Sequence, residues 1–534
     1  MSGPVFVACD MGTTLIKAAV IDLDGQIVAT AAVESVLDTP HPGVVEQDLL
    51  EMERQAHTAI RRAVEASGRA ADVAGISFSS QMAGIGAVGD DFEPVMPFDS
   101  WLDSRCGTDI YEMAEHAETI TRISGGPPTY SHGPKERWLK RTRPEVYART
   151  AKFQVPGPFV SARLAGLPVD QAYIDTANLC FSNLSDTEHD RWSPELISLF
   201  GLDIEKLPRI LSPTDLIGTV TEQASIQTGI PAGVPIAAGG GDQIVACLGA
   251  GIVEIGQASD SAGTASLFTM VIDRWSPDVA DMAMVTSKSI VPGGFISFSY
   301  INGGGIGPEW MRQTIAHDPA PADEAFATLQ RLAAEVPVGS GGLLWLPHFQ
   351  GGVLPAKPYL RSGWVGATGS HTRAHLYRSM LEGIAFQYAA WADRAPAIIG
   401  RPLTEVRAMG GGSKSDLWVS IKADVLGVPF VRMPKAECAL LGNALIAAAA
   451  TGHIDDIGRA AASWHTLPQP LQPDAGRHAR YAELREIFDL LSAQVDPVFR
   501  RLQQFSDVDA RAAEDLPPAT PSIEAEPAQN ERRQ

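Results

Sequence analysis

Cysteine is scarce in this chain of 534 residues: Cys9, Cys106, Cys180, Cys247 and Cys438 are five in number and widely scattered. Neither a disulfide framework nor a zinc-ligand spacing runs through them, so they read as small buried apolar residues in a reducing compartment. Long apolar runs are missing too. No segment approaches the ~20 continuous apolar residues of a membrane span, and the start MSGPVFVACD lacks the basic and apolar regions of a secretory leader. A cytoplasmic location away from membranes is expected. Basic charge is short as well: 42 Lys and Arg stand against 63 Asp and Glu, a formal net charge of −21. That excess disfavours nucleic acid as a partner, because binding to it rests on clustered Lys and Arg that neutralise phosphates. Finally, no G-x-x-x-x-G-K-[ST] occurs, so a phosphate site here is not a P-loop.

What is present describes a packed protein. Apolar residues make up 45% and charged residues 20%, ordinary globular values. The length exceeds one core and is read as two large domains, 1–245 and 246–504, followed by a tail. From about Phe505 the composition turns to Pro, Glu and Ala with almost no large apolar residues, so 505–534 is expected to be disordered.

The N-terminus reads as an antiparallel meander: VFVAC, a Gly-containing turn, LIKAAVID, an Asp24-Gly25 turn and QIVATAAV. Leu49, Met52, Ala56, Ile60 and Val64 then recur at helical spacing before Gly68, and VAGISFSS returns as a strand. A shift of 251 residues carries Gly12-Thr13 onto Gly263-Thr264 and Val20-Ile21-Asp22 onto Val271-Ile272-Asp273. Either two strand–turn–strand segments look alike by chance, or the two domains share a core. Later elements alternate between helix (LYRSMLEGIAFQYAAWADRA), strand (TEVRAMG), helix (SDLWVSIKADVLG), strand (PFVRM) and helix (ALLGNALIAAAATG), which is α/β wiring.

Two motifs are set aside. GIGAVG (Gly84 to Gly89) has the letters of a dinucleotide fingerprint, but a turn and a strand follow where a helix must begin. HTRAH places His371 and His375 four apart, yet Ser370 or Thr372 suits a helix cap better than the pair suits a metal.

Four turns of small residues carry the chemistry: CDMGTTLIK (Cys9 to Lys17), GGGDQ (Gly239 to Gln243), SAGTAS (Ser261 to Ser266) and GGGSKSDLW (Gly410 to Trp418). Turns of Gly, Ser and Thr expose successive backbone amides that form concave anion sites. In the first, Asp10 ends a strand where a hard cation such as Mg²⁺ can be held, while Gly12, Thr13 and Thr14 offer amides and hydroxyls to phosphate oxygens. Three consecutive glycines before Asp242 suggest that another molecule crowds this carboxylate.

These residues resemble the FGGY carbohydrate kinases of the actin-like ATPase superfamily, over roughly residues 5 to 500. The strongest stretch is GGGSKSDLWVSIKADVLGVPFVRMPKAECALLGNALIAAAATG, joined by DMGTTLIKAAVID, SSQM (79 to 82), WLDSR (101 to 105) and GGGDQ. Their order and spacing are similar to the xylulokinase members. The resemblance implies an α/β fold of two similar actin-like (ribonuclease H-like) domains, with mixed sheets flanked by helices and the active site in the cleft between them. It implies ATP-dependent transfer of phosphate to a primary hydroxyl of a small sugar, a pentulose or hexulose first and a polyol or aldonate second. Asp242 would be the catalytic base that accepts the hydroxyl proton. Asp10 would organise Mg²⁺; Gly12, Thr13, Thr14, Lys17, Gly263 and Thr264 would serve the phosphates; Gly305, Gly411, Gly412 and Ser415 would line the nucleotide site. Gln81, Met82, Trp101, Asp103 and Gln243 would join Asp242 around the sugar. Lys17 reads equally well as an ion-paired strand residue, and Asp242 also as a cap on a helix starting near Ile244.

Departures from the family pattern fall at the sugar pocket and in the last motif. Ala83 stands where xylulokinases commonly have His, Gln243 where many have Asn, QGGVLPAKP (350 to 358) replaces a Gly-Glu-Arg-x-Pro loop, and Gly442-Asn443-Ala444 replaces Gly-Ala-Ala. An actin- or Hsp70-like ATP-driven binding module is the rival of another class. A sugar-responsive repressor would add a basic DNA-reading helix, and none is visible. The sequence leaves a homodimer open and places a closing hinge near Asp242 to Gly251.

Overall fold

Alternating burial along the first strands sets the architecture. In β1 (Val5–Met11), Val5, Val7, Cys9 and Met11 face one core, while Phe6 and Ala8 face another. Asp10 shares the Phe6 face by the two-residue period of a strand. This computed structural model describes residues 3–263, 265–316, 320–435 and 437–514. β2 (Leu15–Asp22) and β3 (Ile27–Glu34) complete the expected antiparallel meander. Helix α1 (Leu49–Ser67) starts where the Asp48 carboxylate accepts from the amides of Leu50 and Glu51, and stops at Gly68 with φ 63°. Its Leu49, Met52, Ala56, Ile60 and Val64 cover the Val5 face.

β4 (Val73–Ser80) runs parallel to β1. With β5 (Leu216–Thr219), β6 (Pro235–Ala237) and β7 (Gly240–Gly241) it completes a seven-stranded mixed sheet in the order β5-β6-β4-β1-β2-β3, with β7 added on β4. A second sheet is built from β8 (Gln257–Ala262), β9 (Ser266–Ile272), β10 (Val285–Lys288), β11 (Phe295–Ile301), β12 (Glu405–Met409) and β13 (Phe430–Arg432), in the order β10-β11-β9-β8-β12-β13. Its three-strand meander β8-β9-β11 is followed by parallel β12 and β13, as β1-β2-β3 is followed by parallel β4 and β6. The 251-residue shift lays β2 on β9, so the two halves share a core topology.

Helix α2 (Asp242–Gly249) joins the halves, and α3 (Arg373–Ala392), α4 (Asp416–Leu426), α5 (Cys438–Ala450) and α6 (Ala475–Glu514) follow. α6 runs ten residues past the expected boundary at Gln504, and 515–534 lie outside the described residues. α2 and α5 touch backbone to backbone: a β-carbon on Gly249 would fall 1.8 Å from the Cys438 carbonyl oxygen, and one on Gly442 would fall 2.1 Å from that of Val245. Together these helices bury the Phe6 and Ala8 face of the first sheet. The segment expected to hinge, Asp242 to Gly251, is therefore mostly a buried helix clamped by another. Bending it would break that contact.

Both set-aside motifs fold as expected. Ile85–Val88 is a strand within GIGAVG, and Thr372 forms a capping box with His375 at the start of α3.

Candidate active site

Gly239 has φ 75°, and a β-carbon there would lie 1.9 Å from the Phe78 carbonyl oxygen. One on Gly241 would lie 2.6 Å from the Met82 sulfur. The glycine run thus lets β7 lie beside Ser79 and Ser80 of β4 and lets Met82 pack over it. The space that the glycines clear is filled by the protein itself, not left for a ligand. α2 begins at Asp242, with Gly241 as its N-cap. Among the described residues the Asp242 carboxylate accepts only the adjacent Gln243 amide, at 2.7 Å, so it stands at the positive end of the helix without the bonding of a cap residue.

Asp242 lies on a cavity of about 140 Å³ between the two halves. Burial pushes its carboxyl up to about 7, the Asp10 charge adds to this, and the Gln243 amide opposes it. Asp10 itself is raised to about 6 by burial, against the opposing Ser79 hydroxyl and the Lys17 charge. Ser79 donates to Asp10 at 2.7 Å and accepts from the Asn443 amide at 2.7 Å, and Asn443 also donates to the Cys9 carbonyl at 3.2 Å. Lys17 is not turned to a phosphate: its ammonium is 2.8 Å from Glu437, next to α5. Two acids raised by burial stand together, and the nearest lysine is already ion-paired.

The first-half wall of the cavity carries Thr13, Gln81, Met82 and Trp101. The Trp101 indole donates to the Thr13 hydroxyl at 2.9 Å, fixing ring and turn together. Gln81 donates to Gln47 at 2.6 Å and accepts from Ser100 at 3.3 Å. Asp103, expected to hold sugar hydroxyls, is placed otherwise. It is 1% exposed, and its carboxylate accepts the Val45 amide at 2.9 Å and the Arg105 side chain at 2.9 Å. Those contacts occupy it, and it fixes the Val45 and Arg105 segments instead of lining the cavity.

Of the turns read from the sequence as phosphate sites, Thr13 of the first and Ala265 of the third line the cavity. Gly12 closes the β1–β2 turn by donating to the Leu15 carbonyl at 3.1 Å, leaving Thr13 half-buried and Thr14 exposed. In the second half, Gly263 holds the equivalent β8–β9 turn. Thr264 lies outside the described residues. Gly305 precedes the short helix Ile306–Trp310, and its neighbour Gly304 abuts Ser266. Gly411 and Gly412 form the 3-10 turn Gly411–Lys414, which packs on Ala262. Ser415 differs from expectation: its hydroxyl caps α4 by accepting the Trp418 amide at 3.1 Å, so it serves the helix. Among the described residues no group of three or more His, Cys, Asp or Glu is arranged to hold a metal.

Sequence reasoning missed the second-half wall. Leu267 of β9 and Tyr300 of β11 are cross-strand partners, and Phe298 lies on the same face two residues before Tyr300. Phe181 meets Phe298 edge to face with ring centroids 5.6 Å apart. The alternation in FISFSYI held a signal for Phe298 and Tyr300. Nothing local marks Phe181.

Two similar α/β halves with a small cavity between them that carries Asp242 have the frame of a two-domain phosphotransferase. Residues 5–249 match the model of the FGGY family of carbohydrate kinases, N-terminal domain, and residues 258–451 that of its C-terminal domain. The chain belongs to the FGGY family of carbohydrate kinases, enzymes that transfer phosphate from ATP to a sugar. It is 24% identical over 507 residues to the xylulose kinase of Bacillus subtilis (strain 168), covering 93% of this chain and 99% of that one. With the autoinducer-2 kinase of Klebsiella pneumoniae subsp. pneumoniae it shares 28% over 482 residues, 86% of this chain and 88% of that one. The crystal structure of xylulose kinase from Rhodospirillum rubrum superposes with a TM-score of 0.81 at 26% identity, covering 93% of this chain and all of that one. No helix among the described residues is long and apolar enough to cross a membrane.

Proposed function

We propose that this kinase phosphorylates a primary hydroxyl of a small neutral open-chain ketose, with Asp242 as general base. The reading rests on one observation above the others: a carboxylate raised to about 7 on the floor of a small cavity between the halves. A hydroxyl laid against Asp242 would pass its proton to the carboxylate as its oxygen bonds to the γ-phosphorus of ATP, and ADP would leave. Thr13 and Thr14 would meet the phosphates from the first half, and Gly263, Gly305, Gly411 and Gly412 from the second. The family's xylulose kinases make xylulose the reference sugar. An aldonate is disfavoured because, among the described residues, no Lys, Arg or His lines the cavity to receive its carboxylate.

Mg²⁺ fits this site: Asp10 is a half-buried carboxylate with a hydroxyl donor and, among the described residues, no ion-paired cation, and one or two carboxylates plus phosphate oxygens suffice for that ion. Bound there, it would neutralise charge on the phosphates. In the same reading the domain boundary falls near 245, the protein works in the cytoplasm, and a homodimer is compatible with it. A coupled ADP-release assay over pentuloses, hexuloses, polyols and aldonates tests the proposal. Stimulation by a ketulose supports it; stimulation by no member overturns it.

A further inference from the structure

Tyr300 of β11 stands between two cavities. One carries Asp242; the other, of about 210 Å³, is lined by Val353, Lys357 and Asp496 among others. A side chain with open space on both sides is not fixed by packing alone. Its tether is a hydrogen bond between its hydroxyl and the Thr129 side chain. Thr129 gives its only hydroxyl proton to the Val353 carbonyl, 3.1 Å away, so the Tyr300 phenol is the donor in that bond and Thr129 the acceptor. Thr129 belongs to the first half, Tyr300 and Val353 to the second. The line from Tyr300 through Thr129 to Val353 therefore crosses between the halves at the edge of the Asp242 cavity.

Val353 lies in QGGVLPAKP, the segment that departs from the family pattern. Gly352 and Lys357 exchange backbone hydrogen bonds at 2.9 and 2.8 Å, closing a hairpin. Inside it Val353 is buried, Leu354 packs with the cluster that contains Phe298, and Ala356 packs on the first-half cluster around Ile85. From outside, α6 grips the hairpin. Asp496 accepts the Lys357 ammonium at 3.0 Å, the Tyr359 hydroxyl at 3.1 Å and the Arg500 side chain at 2.8 Å, and the Arg500 guanidinium lies 4.3 Å from the centre of the Tyr359 ring. We propose that Asp496 and Thr129 are positioning residues for phosphotransfer: Asp496 fixes the hairpin from α6, the Val353 carbonyl orients the Thr129 hydroxyl, and Thr129 sets Tyr300 on the wall that meets the acceptor sugar. The proposal rests on the reading of the Asp242 cavity as the sugar site. Taken alone, the partly exposed Lys357–Asp496 pair is a weak surface tie. A marked and selective effect of its loss on the sugar would come through the hairpin.

Two measurements test it, and the first needs no substrate. Hydrogen exchange of the ligand-free full chain, followed by mass spectrometry, should show Asp496→Ala exchanging faster in 127–131 and 298–302 as well as in 350–361. Faster exchange confined to 350–361 and α6 would overturn the proposal. The second is a double-mutant cycle in steady-state kinetics with D-xylulose, or with whichever panel sugar the parent uses best. Asp496→Ala and Thr129→Val should each raise the sugar KM by about two- to thirtyfold, the range of coupling along a packed network, and leave the KM for ATP unchanged. Because the two residues act in series, the double variant should match the more impaired single one. Effects that multiply, or that fall equally on sugar and ATP, would overturn the positioning roles while leaving the kinase reading intact. A parent inactive on every member of the panel would overturn the kinase reading, and the exchange pattern would still decide whether Asp496 and Thr129 hold Tyr300.

Discussion

Asp10 of the first sheet and Asp260 of the second stand on equivalent strands, one position apart after the 251-residue shift. Asp260 is fully buried and accepts the Lys422 ammonium at 2.6 Å, itself fully buried and 3.8 Å from the centre of the Trp418 ring. Among the described residues Asp10 has no such partner: Ser79 gives it one hydroxyl, while Lys17 is held by Glu437. The second half thus neutralises its buried acid internally. In the first half, the carboxylates of Asp10 and Asp242 accept a Ser79 hydroxyl and a Gln243 amide instead of an ammonium. A repeated fold, then, does not assign the same task to matching strands; the charge balance around each acid does.

The largest expected break in this asymmetry is Asp242→Asn, which keeps the shape and removes the base. Steady-state kinetics should show kcat down by ~10²–10⁴-fold with little change in ATP affinity. In the parent enzyme kcat/KM should rise with pH through about 7 as Asp242 loses its proton. Stability of the ligand-free protein runs the other way. The folded Asp10 and Asp242 bind protons more tightly than the unfolded chain, so their contribution is full below about pH 4 and is lost as pH rises through about 6 and 7. Asp242→Asn should therefore raise the Tm at pH 8 relative to the parent, and by much less at pH 4.

Lys422→Met tests the other half. It leaves Asp260 buried and unpaired, so urea denaturation should register a loss of about 3–5 kcal/mol, with kcat/KM of the folded protein unchanged. A large kinetic defect without loss of stability would reverse the roles assigned to the two acids. Next in size is Asn443→Ala, which frees the Ser79 hydroxyl that bonds Asp10. Metal titrations monitored by calorimetry in the presence of ADP should show affinity weaker by about ten- to a hundredfold, as for the loss of other groups that orient a ligand. Smallest is Lys17→Gln, whose half-exposed ion pair should be worth about 0.5 kcal/mol or less in thermal melts.

Strand and helix periodicity made the meander, α1 and the alternating elements from Arg373 to Ala450 readable, because each is set by local burial. Asp242 and the small-residue turns could be singled out because Gly and Ser cluster there. Asp103 and Ser415 were misread for one reason: a polar residue in a motif looks the same whether it faces a ligand or ties down its own backbone. Only the Val45 and Trp418 amides, one of them distant in the chain, reveal the difference. Phe181 was illegible for the complementary reason, since it reaches the cavity through packing against Phe298, over a hundred residues away.

The grip of α5 on the first sheet has a consequence for anyone who divides this chain. Residues 5–249 and 258–451 match separate family models, which invites expression of each half alone. Yet Phe6, Ala8, Ala19 and Ile21 are covered by Leu440, Leu441 and Ala444 from the far side of that cut. A fragment ending near Gly256 would present this apolar strip to water and should precipitate. Supplying the C-terminal fragment in the same cell should rescue it, making the two pieces a split-protein pair whose reassembly can be scored by solubility before any sugar is added.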